Sequence, residues 1–227
     1  MRTDNGNNGK AYIRFMSRFS KIILALSTLL LIFQIVSIIF IDSKVAVGHI
    51  AFQLFENLLI IIVTLLPLIL GKVVKVKIPK AMEIAFVGFC FASLVMGDLL
   101  NFYGRFPCWD IVLHGISGIM LGILGYAIYN SFGPKDPPSP IWVSVWIICF
   151  ALAAGAMWEI WEYATDGIFG LNSQEFLVTS GTFDTATPLY GRAALKDTME
   201  DLVLDFIGST GIAIVSFFDI KKRQGQL

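Results

Sequence analysis

The sequence predicts an all-α, polytopic membrane protein with six transmembrane helices and both termini in the cytoplasm. Two features of the composition predict this class. The 227 residues are 56% hydrophobic and only 15% charged, whereas a soluble domain carries about 25% charged residues. The hydrophobic residues also occur in long blocks rather than at the spacing of an amphipathic helix or strand, which is typical of membrane spans.

Six hydrophobic blocks are long enough to cross a bilayer, because about 20 helical residues span a hydrocarbon core of roughly 30 Å. Polar or turn-forming segments separate them, such as GKVVKVKIPK after the second block and GPKDPPSP after the fourth. The first block is too long for the core of a signal peptide, so we expect it to remain as a span. The whole chain, 1–227, is predicted to form one integral membrane domain. Its predicted spans are residues 22–41, 48–70, 82–103, 110–131, 141–164 and 198–218.

Positive charges predict the orientation of these spans, because Lys and Arg are retained on the cytoplasmic side of a membrane. With six spans, the basic N-terminus, the lysines of GKVVKVKIPK and the C-terminal KKR all fall on one side. The loops on the other side carry few basic residues. We therefore expect both termini to be cytoplasmic. Glu83 and Asp219 then lie at the cytoplasmic boundary, where we expect ordinary flanking charges.

Acidic residues gather at the outer end of the predicted spans, mostly within an acid-rich core at 98–212. Asp110 and His114 are four residues apart and share one helix face, and the spacing of DxxxDxxxD stacks three aspartates on another. A carboxylate at the centre of a bilayer costs at least ~2.5–3.5 kcal/mol. We therefore expect these faces to point at one another or at water.

Stacked carboxylates require either bound protons or a counter-cation. Carboxylates with one imidazole suit a divalent cation such as Mg²⁺, Mn²⁺, Ca²⁺ or Zn²⁺. The alternative is that His114 is a hydrogen-bonded interior histidine, and that Glu159 and Asp166 are solvated charges at a helix end, the interpretation favoured for Asp166. The candidate metal ligands are Asp110, His114, Glu159, Glu162, Asp201 and Asp205. Further candidates for the polar cluster are Glu56, Asp98, Asp166, Asp197 and Arg192.

Two other patterns accompany this cluster. Glycines recur in HGISGIMLGILG and in the last span, and small residues allow helices to pack closely in membranes. The alternative is that glycine is simply common in such helices.

The outer segment GTFDTATPLYGRAALKDT (181–198) is long for a connecting loop. It is a candidate lid or binding loop, and an ordinary surface loop is the alternative.

Three stretches of the second half resemble a known family. WDIVLHGISG, WEIWEYATDGIFG and DTMEDLVLDFIGSTGI are similar, in order and spacing, to bacterial inner-membrane proteins of the YjdF type. The resemblance covers about residues 110–212 and implies a multi-pass protein of the bacterial cytoplasmic membrane without implying a particular activity. A looser likeness exists to VanZ-like membrane proteins, a family linked to glycopeptide-antibiotic resistance. This chain lacks the glutamine expected near the acid of that family.

The sequence leaves three functions open. The first is a metal-dependent membrane enzyme acting on a lipid or lipid-linked envelope substrate, in which the cation activates water or polarises a phosphoryl oxygen. The second is a non-catalytic membrane protein with a polar packing core. The third is a proton- or cation-coupled transporter, because intramembrane acids are typical of proton relays. The expected partners are the bilayer and such a substrate, and no nucleic acid.

Overall fold

A computed structural model describes residues 16–40, 44–73, 80–106, 108–133, 139–178 and 187–225. Within these ranges the chain is helical except for turns and one antiparallel bridge between Leu177 and Pro188, which confirms the predicted all-α class. The helices are α1 (Arg18–Ile39), α2 (Lys44–Val73), α3 (Lys80–Cys90), a π-helical segment (Phe91–Leu99), α4 (Phe102–Arg105), α5 (Trp109–Phe132), α6 (Pro140–Phe169), a 3₁₀ segment (Gly191–Leu195) and α7 (Lys196–Arg223).

Five helical stretches of the described chain are long and apolar enough to cross a membrane, with mean hydropathies between 1.5 and 2.7. They overlap every predicted span except the second. In that position, α2 contains a shorter apolar stretch, Ile50–Leu66. The five stretches are Arg18–Ile39, Lys80–Gly97, Trp109–Phe132, Pro140–Phe169 and Gly191–Arg223.

Helix α6 shows how local sequence sets the helix ends. It begins with Pro140. Proline lacks a backbone N–H group, and this loss costs little in the first turn of a helix, where N–H groups have no partner within the helix. Helix α6 ends before Gly170, which adopts a left-handed φ of 67° that glycine tolerates best. The helix therefore extends beyond the predicted end at residue 164. This extension places Asp166 within the helix.

The chain divides into two compact units, Met1–Pro107 and Cys108–Leu227. In unit 1, α1, α2 and α3 pack together with the π-helical segment, and Ile23, Ile60 and Val87 are among the buried side chains. Glu83 is also buried, contrary to its expected role as a flanking charge. Its Oε1 accepts hydrogen bonds from the backbone N–H of Ser17 (2.9 Å) and the hydroxyl of Ser20 (2.5 Å). These donors at the start of α1 explain why Glu83 is inside.

Unit 2 is built on α5, α6 and α7, each of which packs against the other two. At Gly118, a Cβ atom would lie 2.7 Å from the Cα of Asp205, so the backbones of α5 and α7 nearly touch there. One turn later, a Cβ atom at Gly122 would lie 3.2 Å from the Cα of Ser209. Helices α5 and α7 therefore run in the same direction. Gly115, in contrast, has open space where its Cβ would lie.

Helix α6 runs in the opposite direction to α7. Gly155 faces the carboxylate of Asp205, whereas the hydroxyl of Ser144, earlier in α6, donates to the carbonyl of Ala213, later in α7 (3.1 Å). The apolar core of the unit lies around this second contact and contains Val143, Ile147, Ala213 and Ile220.

Candidate metal centre

The directions of the three helices bring the polar residues of unit 2 to one end. The start of α5, the end of α6 and the start of α7 meet there, because α5 and α7 are parallel and α6 is antiparallel to both. Each of these helix ends carries acidic side chains in the sequence. The residues concerned are Asp110 and His114 on α5, Glu159, Glu162 and Asp166 on α6, and Asp197, Asp201 and Asp205 on α7.

Three of these side chains converge on one point. The Nε2 atom of His114 lies 3.7 Å from Oδ1 of Asp110 and 3.8 Å from Oδ2 of Asp201. One ligand atom from each residue lies within 4.8 Å of the other two. Ligands bind divalent cations at about 2.0–2.4 Å, so two ligands on opposite sides of an ion are separated by about 4.0–4.8 Å. The three residues are therefore close enough to bind one metal ion.

His114 is only 8% exposed, and its ring is not held by ordinary hydrogen bonds. The two distances from Nε2 exceed the usual N–H···O range of about 2.7–3.2 Å. The other ring nitrogen, Nδ1, is buried and has no hydrogen-bond partner among the described residues. Buried polar atoms normally have a partner. The alternative of a hydrogen-bonded interior histidine therefore has no hydrogen bond to support it in the described part of the chain.

Glu159 is buried beside a polar loop residue. The side-chain amide of Gln174 lies 3.5 Å from Oε2 of Glu159 and donates to the hydroxyl of Thr198 on α7 at 3.0 Å. It also donates to the backbone carbonyl of Glu159 (3.3 Å). The second carboxylate oxygen, Oε1, has no partner within the ranges that the structure describes. Gln174 thus connects α6 to α7 and leaves one oxygen of Glu159 available.

Asp205 lies one turn further into unit 2 than Asp201 and is 2% exposed. Its Oδ1 accepts a hydrogen bond from the hydroxyl of Ser117 at 2.5 Å. Its carboxylate faces Gly155, where no side chain blocks its approach to α6. Asp205 is therefore a buried acid with a neutral donor of its own, apart from the three converging ligands.

Glu162 and Asp166 are bound by local donors. Oε1 of Glu162 accepts from the indole N–H of Trp158 (3.0 Å). Asp166 is buried, and its two oxygens accept from the backbone N–H groups of Ser173 (2.8 Å) and Gln174 (3.1 Å). The expectation that Asp166 is a solvated charge at a helix end is therefore wrong. The carboxylate of Asp166 therefore anchors the loop that follows α6.

The remaining candidates are distributed over both units. Asp197 is partly buried at the start of α7, and Arg192 is exposed in the 3₁₀ segment before it. Glu56 belongs to unit 1, where it is 9% exposed. The side chain of Asp98, also in unit 1, lies outside the described residues. So do residues 179–186, which contain the first part of the predicted binding loop.

Sequence reasoning missed Ser117 and Gln174, two neutral residues whose side chains contact Asp205 and Glu159. Ser117 was detectable, because it lies seven residues after Asp110 and three after His114 and therefore shares their helix face. Gln174 gave no such signal, because it lies in a loop after Gly170 without periodicity. Its contacts arise from the fold of that loop.

The apolar helices and the buried polar cluster define a polytopic α-helical membrane protein. The family described as "Predicted membrane protein (DUF2238)" matches residues 24–222. The chain belongs to this family, which confirms the YjdF-type resemblance and places the protein in a lipid bilayer. Nothing in the comparisons supports the looser likeness to VanZ-like proteins.

The chain is also similar to one known protein of uncharacterised function. A Thermotoga maritima protein that carries the name "Uncharacterized protein" is 25% identical over 163 residues, which cover 70% of this chain and 72% of that protein. No solved structure matches the chain.

Proposed function

We propose that unit 2 binds a divalent cation through Asp110, His114 and Asp201, and that the bound cation acts on a lipid or lipid-linked substrate. The observation that carries the proposal is the convergence of two carboxylates on a buried imidazole that lacks ordinary hydrogen bonds. Imidazole suits Zn²⁺ better than it suits Mg²⁺ or Ca²⁺, and carboxylates suit Mn²⁺. This mixed ligand set favours Zn²⁺ or Mn²⁺.

The charges of the described residues support a cation. Buried charges are normally paired or bound to a metal, and Asp201 is 2% exposed. The ion pairs of lysine and arginine within the described ranges involve other acids: Lys196 pairs with Glu200, and Arg223 pairs with Asp219. A divalent cation would neutralise the two carboxylates that face His114.

Three protein ligands would leave coordination positions for water and substrate, as in catalytic metal sites. The cation would then activate a water molecule or polarise an oxygen atom of the substrate. Glu159 has an unpartnered oxygen on the neighbouring helix and is suited to accept a proton from such a water molecule. A substrate that enters from the bilayer would be a lipid or a lipid-linked molecule.

The proposed topology places this site in the outer half of the bacterial cytoplasmic membrane. It has six spans, with both termini inside. Helix α2 is 30 residues long, which is sufficient for a span. The basic residues Lys221, Lys222 and Arg223 at the end of α7 suit a cytoplasmic end. Single cysteines at the two ends of α7, tested with a membrane-impermeant thiol reagent on intact cells, would determine its orientation.

The test of metal binding compares two adjacent residues of α7. Asp201→Asn removes a proposed ligand but keeps the size of the side chain. Glu200→Gln makes the same chemical change at an exposed neighbour that pairs with Lys196. We expect about one Zn²⁺ or Mn²⁺ per chain in the purified wild type and in Glu200→Gln, and loss of that metal in Asp201→Asn. Absence of metal from the wild type, or equal metal in both variants, would refute the site.

A second candidate function is a non-catalytic polar packing core, favoured by the neutral donors that hold Asp166 and Asp205. The two functions differ in their effect on lipids. The metal-loaded protein is incubated with a total bacterial lipid extract, and the lipids are analysed by mass spectrometry. We expect a product with the wild type and with Glu200→Gln but not with Asp201→Asn. An unchanged lipid profile with metal-loaded wild type would favour the packing core.

A further inference from the structure

Unit 1 contains a small polar pocket of its own. It is lined by Gln34 of α1, by Gln53, Glu56 and Asn57 of α2, and by Leu94, Val95 and Leu99 of the π-helical segment. The pocket has a volume of about 10 Å³. This volume is at the lower end of the roughly 10–15 Å³ that a single water molecule requires.

Two amide side chains in the pocket satisfy only half of their hydrogen-bonding groups. Gln34 and Asn57 are 5% and 3% exposed. The side-chain N–H of Asn57 donates to Oε1 of Gln34 at 2.9 Å. The opposite groups, Nε2 of Gln34 and Oδ1 of Asn57, are buried without a partner among the described residues. The amino group of Gln34 and the carbonyl oxygen of Asn57 therefore remain unpaired on two adjacent amides.

The chemistry of these two groups identifies the occupant. It must accept a hydrogen bond from the N–H group of one amide and donate one to the oxygen of the other. If the oxygen and nitrogen atoms of both amides are exchanged, the hydrogen bond between the amides runs in the other direction. The occupant must still accept one hydrogen bond and donate one. A bare cation can contact only the oxygen, and an anion only the N–H group. A water molecule both donates and accepts, and it fits the volume.

The π-helical segment supplies the apolar side of the pocket. Its wider turn is closed by a hydrogen bond from the N–H group of Leu100 to the carbonyl of Val95, five residues earlier (2.9 Å). Such segments are rare and occur frequently at functional sites. The hydroxyl groups of Ser93 and Tyr103 lie 3.1 Å apart and connect the segment to α4. The segment is thus held in place beside the amides by contacts outside the pocket.

We propose that this pocket binds one water molecule that bridges Gln34 and Asn57 beside the carboxyl group of Glu56. The bound water gives each of the two unpaired amide groups a hydrogen-bond partner, in a pocket that Glu56 also lines. Ionisable residues within membrane proteins characteristically lie on water-filled paths for protons or ions. The pocket is therefore a hydrated site beside Glu56, and its amide groups favour a neutral ligand that both donates and accepts hydrogen bonds.

The first experiment is a density map of the full chain in lipid nanodiscs, at a resolution that shows ordered water. We expect one peak at about 2.7–3.2 Å from the nitrogen of one amide and the oxygen of the other. An empty pocket would overturn the proposal. A peak at about 2.0–2.5 Å from oxygen atoms only would indicate a metal cation and would also overturn it.

The second experiment measures magnetisation transfer from water to the side-chain amide of Gln34 by solid-state NMR. We expect rapid transfer in the wild type and at least a several-fold decrease in Asn57→Leu, which removes one partner of the water. Asn130→Leu, the same substitution at an exposed position, is the control and should leave the transfer unchanged. Slow transfer in the wild type would overturn the proposal even if Asn57→Leu does not fold.

Discussion

The two units surround their carboxylates with different partners. In unit 1, Glu83 accepts hydrogen bonds from a backbone N–H group and a hydroxyl group at the start of α1. In unit 2, Asp110 and Asp201 face a single imidazole at 3.7 and 3.8 Å. A carboxylate with enough neutral donors is stable inside a protein without a ligand. Carboxylates that share one imidazole are better candidates for binding a cation.

The same distinction holds within unit 2. Asp166 has two backbone N–H donors and therefore resembles Glu83, although it lies on the same helix as Glu159. Sequence position alone does not separate these roles, because all three acids lie in apolar helices. The number of donors around each carboxylate separates them. By this criterion Asp110 and Asp201, whose ligand atoms lie within 4.8 Å of one another and of His114, are the carboxylates that we propose bind a cation.

The largest effect is expected from separating the helices that bring these ligands together. Gly118→Leu places a side chain against the backbone of Asp205, which a Cβ atom alone would approach at 2.7 Å. A helix backbone cannot move aside as a flexible side chain can. We expect the free energy of unfolding to fall by about 3 kcal/mol and bound metal to be lost. Hydrogen–deuterium exchange of α5 and α7, together with metal analysis, would measure both effects.

Gly115→Leu is the matched control for this substitution. It lies on the same helix three residues earlier, and nothing lies within 4 Å of the position of its Cβ. We expect the packing and the metal content to remain those of the wild type. Equal damage from both substitutions would show that the close approach of α5 and α7 is not what assembles the ligands.

The second prediction tests the difference between the units directly. A ligand that binds only the folded state stabilises it by about 2.7 kcal/mol when its concentration is 100 times the Kd. We expect Zn²⁺ or Mn²⁺ to slow hydrogen exchange in α7 relative to a chelated sample, and exchange at the start of α1 to remain unchanged. Asp201→Asn should abolish the effect, whereas Glu83→Gln should retain it. If the metal also slows exchange in α7 of Asp201→Asn, relative to the chelated variant, the cation binds at another site.

Much of the fold could be predicted from the sequence, because membrane spans depend on local composition. The all-α class and the approximate positions of five apolar helices follow from the length and hydropathy of each block. Helix α6 continues past the predicted end of its span at residue 164, because hydrophobicity marks the part of a helix that crosses a membrane and not the end of the helix. The terminating signal was Gly170, whose left-handed conformation ends the helix.

The candidate site was less predictable, because it depends on contacts between distant residues. Helical spacing paired Asp110 with His114, but nothing local indicated that Asp201 and not Glu162 would be their neighbour. The burial of Glu83 depends on Ser17 and Ser20, more than sixty residues earlier in the chain. The hydrophobicity of a segment predicts that its residues lie in a membrane, but it does not predict which other residues they contact.

The third prediction concerns the structural carboxylate of unit 1. Glu83→Leu leaves the N–H group of Ser17 and the hydroxyl group of Ser20 without their acceptor. Leaving a buried polar group unsatisfied costs about 1–3 kcal/mol, so we expect faster hydrogen exchange at the start of α1. Glu83→Gln keeps an acceptor oxygen and should have a smaller effect. Comparable exchange in both variants would show that these hydrogen bonds do not hold α1.

The smallest effect is expected at Glu162, where the two kinds of carboxylate are hardest to distinguish. Trp158→Phe removes the indole donor that lies 3.0 Å from Oε1 of Glu162. Glu162 is only partly buried, so water can replace part of this interaction, and we expect a loss of about 1 kcal/mol in the free energy of unfolding. Comparing the double variant Trp158→Phe/Glu162→Gln with the two single variants gives the interaction energy between the two side chains.

The metal content of the same variants determines which kind of carboxylate Glu162 is. If Glu162 is structural, as its indole donor indicates, the metal content should remain that of the wild type in Trp158→Phe and in Glu162→Gln. A loss of metal in Glu162→Gln alone would make Glu162 a ligand. The number of neutral donors would then no longer distinguish structural from metal-binding carboxylates in this protein.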